Sequence, residues 1–308
     1  MDTDITFVYH LGAPQTDNDQ IIWSIRKDSE LMAEHGTLMP RPKGYRLHIS
    51  NMIAELDGEI PSVVDQETLL GALIKRQKVS RLLLSDSKYM ADPSWIFING
   101  VFYDNAERNT AILRNLFPEN PTEFFLGIAN PASFIPAVFK AQNNKSYENF
   151  IAGTDLATIR WSDVISRIQQ ANPDCPITVW CNEDTPVIWP RVLRNFAGLD
   201  SKIRLQGELD IINGIISEEG KRLLVKYLDD RPKLTEIQRE QVRAVFLEKF
   251  FLHHAVEEEI DLPGWTEETV EALTAIYEDD IKRIAEMPEV TFLAPKREPD
   301  AGEPKDKD

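Results

Sequence analysis

The sequence predicts an α/β fold: a mostly parallel central sheet flanked by helices, followed by a helical C-terminal layer. Three observations carry this. Short runs of β-branched and aromatic residues alternate with segments of helical apolar period as far as Asp200, strand–turn–helix junctions recur at the ends of those runs, and beyond Asp200 helical periods dominate. With 308 residues, 42% of them hydrophobic, the chain is long enough for a large domain with a helical appendage.

The first strand is the apolar run from Ile5 to His10. The polar loop Gly12 to Asp19 follows, and Ile21, Ile22, Ile25 and Leu31 set a helical face that ends at Gly36. Thr37 to Pro40 reads as a short extended piece, and Arg41-Pro42-Lys43-Gly44-Tyr45-Arg46 as a basic loop in an acidic protein. Leu69, Leu70, Leu73 and Ile74 predict a helix over Asp65 to Lys75, and Val79 to Leu84 a strand. Trp95 to Tyr103 fits either a strand or an aromatic loop. A helix from Ala106 to Phe117 is stopped by Pro118, and the strand Glu123 to Ile128 turns at Ala129-Asn130-Pro131 into a helix through Phe134, Val138 and Phe139. A helix from Trp161 to Ala171 and a strand from Ile177 to Cys181 come next, with Asn182-Glu183-Asp184-Thr185 at the same end of the sheet as the first loop.

The helical layer is expected over 211–216, 218–228, 236–254 and 267–287, with Thr235 and Gln238 spaced as a capping box. The stretch from Gly198 to Gln206 is too short for a free linker, so residues 1–295 are expected to form one domain, with a last strand at Val290 to Leu293. The charged, Pro- and Gly-containing residues 296–308 are expected to be a disordered tail.

A net charge of −17 argues against nucleic acid and anionic membrane as partners, because both demand clustered Lys and Arg. The start lacks the basic segment and apolar core of a secretory leader, and no apolar run reaches the length of a bilayer span. The cytoplasm is the expected location. Cys175 and Cys181 are too few for a disulfide framework or a four-ligand zinc site, and are expected as reduced core thiols. His253 and Glu257 fall one helical turn apart, but a single pair is too few for a metal site, and none is expected. Trp161, Trp180 and Trp189 are expected in the core, and Trp265 as the anchor of the helical layer.

In an open α/β sheet the loop after the first strand is where phosphates bind, because free backbone N–H groups and the helix dipole point there. The chemistry of this loop is wrong for an anion. From Gly12 to Ile21 there is no Lys, Arg or Ser and no second Gly, while Asp17 and Asp19 place two negative charges at the site. At an effective dielectric of about 20, a carboxylate about 4 Å from a phosphate repels it by roughly 4 kcal/mol. The loop is built against the ligand that its position suggests.

Taken together, His10-Leu11-Gly12, Gly36-Thr37-Leu38-Met39-Pro40, Ala129-Asn130-Pro131, the strand from Ile177 to Glu183 and Val192 to Asp200 resemble, in order, the bacterial sulfotransferases that use 3′-phosphoadenosine 5′-phosphosulfate (PAPS). The resemblance implies a P-loop-like fold and marks where the cofactor would bind. In that family the first loop reads His-x-Gly-x-x-Lys-Thr-Gly-Thr-Thr; here Gln15 stands for the Lys, Thr16 matches, and Asp17, Asn18 and Asp19 replace Gly, Thr and Thr. The family's second signature grips the 3′-phosphate with an Arg and a Ser eight residues later; here those places hold Ala129 and Ala137, with Asn130 between them. The family's Ser-x-Glu appears as Ser85-Asp86-Ser87.

A scaffold kept and a site erased predicts a protein that has lost PAPS binding and sulfate transfer, and acts by binding a partner protein or a small ligand without a cofactor. The alternative is an active sulfotransferase with a rebuilt site, in which Arg41, Lys43 or Arg46 forms a basic lip supplying the missing cation and His10, Glu183 or Asp184 serves as the base.

Overall fold

The computed structural model describes residues 4–56, 58–75, 77–142, 146–252 and 262–296; the His253 and Glu257 pair and the tail beyond Lys296 lie outside them. Eight strands are described: β1 (Thr6–His10), β2 (Thr37–Leu38), β3 (Arg81–Ser85), β4 (Phe97–Ile98), β5 (Val101–Phe102), β6 (Thr122–Ile128), β7 (Ile177–Cys181) and β8 (Val290–Phe292). Six of them form one sheet in the order β2-β3-β1-β6-β7-β8, with every neighbouring pair parallel. The fold is thus α/β with a parallel central sheet, as the alternation of strand and helix periods predicts.

Side chains alternate across a strand, so each run feeds two cores. Phe7, Tyr9, Leu82, Leu84, Phe124, Leu126, Ile177 and Val179 enter the larger one. Val8, Leu83, Phe125 and Trp180 enter the other, on the opposite face. Both faces are therefore covered, which is why these strands read as continuous apolar runs.

The smaller core is covered by α1 (Gln20–Arg26), α2 (Ser29–Glu34) and, later in the chain, by the helix Thr185–Ala197. A single helix was expected where α1 and α2 lie. The break falls at Asp28, whose carboxylate accepts hydrogen bonds from the Gln206 backbone N–H at 2.8 Å and its side-chain amide at 3.2 Å. The larger core is covered by α3 (Pro42–Leu56), α4 (Val63–Ile74), α5 (Ala106–Asn115), α6 (Pro131–Lys140), α7 (Tyr147–Ile151) and α8 (Trp161–Ala171). The basic segment is not a loop: Pro42 opens α3, in the position where a missing N–H costs nothing. β4 and β5 form an antiparallel hairpin about Asn99 and Gly100, both at positive φ, which settles the ambiguity of that aromatic stretch.

The remaining helices are α9 (Thr185–Ala197), α10 (Asp210–Ile215), α11 (Glu218–Asp229), α12 (Glu236–Phe250) and α13 (Glu267–Ala285). The Thr235 and Gln238 capping box forms as the spacing predicts. Buried ion pairs tie this layer to α9. Arg194 meets Glu208 at 2.6 Å and Glu236 at 2.7 Å, and Arg243 meets Glu236 at 2.8 Å while donating to the Val187 carbonyl. On the other face, the buried carboxylate of Asp280 on α13 accepts hydrogen bonds from the backbone N–H groups of Trp161 and Ser162, at the N-terminus of α8. Trp161, Trp180 and Trp189 are buried, Trp265 donates to the Tyr147 hydroxyl at 2.6 Å, and Cys175 and Cys181 are buried free thiols. No helix among the described residues is long and apolar enough to cross a membrane.

Candidate functional site

The chain leaves β1 toward β2 and β3 on one side, then reaches β6, β7 and β8 on the other. The loop from Gly12 to Asp19 follows the carboxyl end of this central β1, where crevices form in open α/β sheets. A cavity of about 440 Å³ opens there. The loop lines one wall, Ser85, Ser87 and Arg46 the next, and Val138 with Gln142 at the end of α6 another.

The backbone explains the loop's composition. Gly12, Gln15, Asn18 and Asp19 all have positive φ, and a Cβ on Gly12 would meet the Ser87 Cα at 3.1 Å and the Asp86 carbonyl at 3.2 Å. Asn and Asp tolerate this left-handed region better than most residues do. Asp17 turns inward to accept the Ile21 N–H at 3.0 Å, so a helix donor that faces an anion elsewhere is satisfied within the chain. Thr16 donates to the Ala13 carbonyl, while Gln15 is exposed.

Arg46 is the centre of the arrangement. Its guanidinium donates to both Asp19 oxygens, at 2.6 and 3.1 Å, and to the Ser85 carbonyl, and Asp86 lies 3.4 Å from its Nε. The neighbouring Tyr45 hydroxyl donates to that same carbonyl at 2.5 Å and accepts the Ser85 N–H, which fixes α3 to the end of β3. Burial works to lower the Arg46 pKa, but the Asp19 hydrogen bonds and the neighbouring negative charge outweigh it, so the guanidinium is held charged more firmly than usual. Burial pushes the Asp86 carboxyl up, against the opposing pull of Arg46.

The three basic residues expected to share one lip are separated. Arg46 enters the loop cavity, Arg41 lines a different pocket beside α4, and the exposed Lys43 lines neither. Of the base candidates, His10 is buried at the end of β1, with Nδ1 2.9 Å from the Ser85 hydroxyl and its ring stacked on Trp180. Burial lowers its pKa, which keeps the imidazole neutral. Glu183 holds structure together: it accepts the Asn130 N–H at 2.7 Å and the Tyr277 hydroxyl at 3.0 Å. Asp184 beside it is pushed up to about 6 by burial and then by the charge of Glu183.

The second motif is likewise engaged in structure. Asn130 caps α6 by accepting the Ala132 N–H, the buried Ala129 gives its carbonyl to the Trp161 indole, and Ala137 leaves its stretch of α6 without a polar group. Asp86, Tyr45 and Gln142 complete the picture; the first two fall in segments that the sequence singles out, but their contacts with Arg46 and Ser85 are not foreseen there. A signal for the first existed, since an acidic turn and a lone basic segment in one chain invite pairing. Among the described residues no group of three His, Cys, Asp or Glu side chains is placed to hold a metal ion. No protein-family model matches the sequence, and no curated protein matches it significantly.

Proposed function

We propose that this chain is a sulfotransferase-like, cytoplasmic α/β protein whose cofactor loop is closed by its own ion pair, and that it acts by binding a partner or a small ligand without transferring sulfate from PAPS. The observation that carries the reading is the two-pronged bridge from Arg46 to Asp19, in which a carboxylate of the loop takes the place of a bound phosphate. Asp17 on the first helical N–H and Asp86 beside the same guanidinium support it. The cavity then carries more negative than positive charge, and suits a neutral polar or cationic ligand better than a phosphosulfate.

A second reading is favoured by one observation, the placement of Arg46 inside the cavity. There the guanidinium is the relocated cation of an active sulfotransferase and exchanges Asp19 for a phosphate. Isothermal titration with adenosine 3′,5′-bisphosphate at low and moderate salt separates the two. The first reading expects no binding that depends on Arg46. Binding that weakens with salt and disappears in Arg46→Gln overturns it in favour of the second.

A further inference from the structure

A second pocket, of about 250 Å³, lies between the start of α3, the end of α4 and the edge strand β2. Arg26, Arg41, His48 and Lys75 line it, and among the described residues no Asp or Glu does. In a chain with 51 acidic and 34 basic residues, a concave surface of one sign is against the trend. The cations are also uncommitted: among the described residues neither Arg26, Arg41 nor Lys75 forms an ion pair, and Arg26 donates only to the Met39 carbonyl at 3.2 Å. Elsewhere Arg46, Arg81, Arg114, Arg167, Arg194 and Arg243 face carboxylates, while Arg108, Arg160, Arg222, Arg231 and Arg239 form no ion pair among the described residues and do not line this pocket. The floor includes Leu38 and the buried Leu73, and low-dielectric walls strengthen the field of charges that share a cleft.

We propose that this pocket binds the phosphate or sulfate group of a small, soluble monoester. Two guanidiniums and an ammonium match a dianionic head with several acceptor oxygens better than a single carboxylate, and Arg forks engage such oxygens in pairs. The volume lies below the range of drug-sized sites, which favours a small ligand. The net charge of −17 opposes approach to an anionic bilayer, so the ligand is free and not a lipid headgroup. The pocket is separate from the loop cavity, and the inference stands whether or not the loop is closed.

The test is titration of the whole protein with inorganic phosphate and with phenyl phosphate at constant ionic strength, for the wild type, Arg41→Gln/Lys75→Gln, Lys43→Gln and Arg46→Gln. Arg41 and Lys75 are exposed, so the double variant keeps its fold, which its melting temperature checks. Saturable binding that weakens about tenfold or more in the double variant, and is unchanged in Lys43→Gln, is the expected result. No binding of either probe, or binding unaltered in the double variant, overturns the proposal. Loss confined to Arg46→Gln assigns the phosphate to the loop cavity and overturns it as well. Co-sedimentation with phosphatidic acid vesicles without binding of the soluble esters overturns the assignment to a free ligand.

Discussion

Replacing Asp19 by Asn removes the charge that closes the loop while leaving its shape. Asn accepts the left-handed φ of +64° that this position requires, and Arg46 keeps its bonds to the Ser85 carbonyl. In the wild type a phosphate entering the cavity meets Asp19 at close range, and at an effective dielectric of about 20 the repulsion at about 4 Å is roughly 4 kcal/mol. It also has to compete for a guanidinium whose bonds to an anion are worth about 1.5–3 kcal/mol each. These contributions overlap and do not add, so we expect a gain of about 3 kcal/mol, or a little over 100-fold in affinity for adenosine 3′,5′-bisphosphate. The cost in stability is about 1 kcal/mol, because the side chains of Arg46 and Asp19 are 26% and 35% exposed and solvent screens the pair. Titration calorimetry in the Arg41→Gln/Lys75→Gln background keeps the second pocket out of the signal. A melting temperature that falls as expected, with no tighter binding, would refute the idea that Asp19 keeps phosphates out.

Glu236→Gln leaves Arg194 and Arg243, whose side chains are 2% and 1% exposed, without the carboxylate that joins them. About 3 kcal/mol of stability should be lost, seen as a lower urea midpoint with an unchanged slope. At Asp184 the sign is opposite. Its carboxyl is pushed up to about 6 by burial and by Glu183, so its favourable contribution is complete below about pH 4 and is lost as the pH rises through 6. Asp184→Asn should therefore stabilise the protein at pH 7.5 by about 1 kcal/mol, a figure reduced for its partial exposure, and have little effect near pH 4. A destabilised variant at pH 7.5 would refute this.

The strands β1, β3, β6 and β7 were legible because each is an apolar run with a face on both cores, and α8 was legible because its period is unbroken from Trp161 to Ala171. Two helices were hidden by residues that usually end helices. α3 carries Gly44 and α9 carries Pro190, and only tertiary contacts keep them helical: Tyr45 clamps β3, and Val187, Trp189 and Phe196 fill the core beneath the sheet. At the site, the position of the loop and its unsuitable charge could be read directly. That Arg46 is the partner of Asp19 could not, because the pairing depends on where α3 sits, and the assumption of a loop there grouped Arg46 with Arg41 and Lys43.

The carboxylate of Asp280 caps a helix that begins 119 residues earlier in the chain. At roughly 5–20 residues per second, a ribosome takes on the order of ten seconds to supply that cap after α8 has been made. β8, which shields one side of β7, is made later still. A nascent chain therefore leaves the outer edge of β7 unpaired until translation has passed Phe292, and the start of α8 without its cap until Asp280 is made, and an open strand edge of that kind is prone to aggregation.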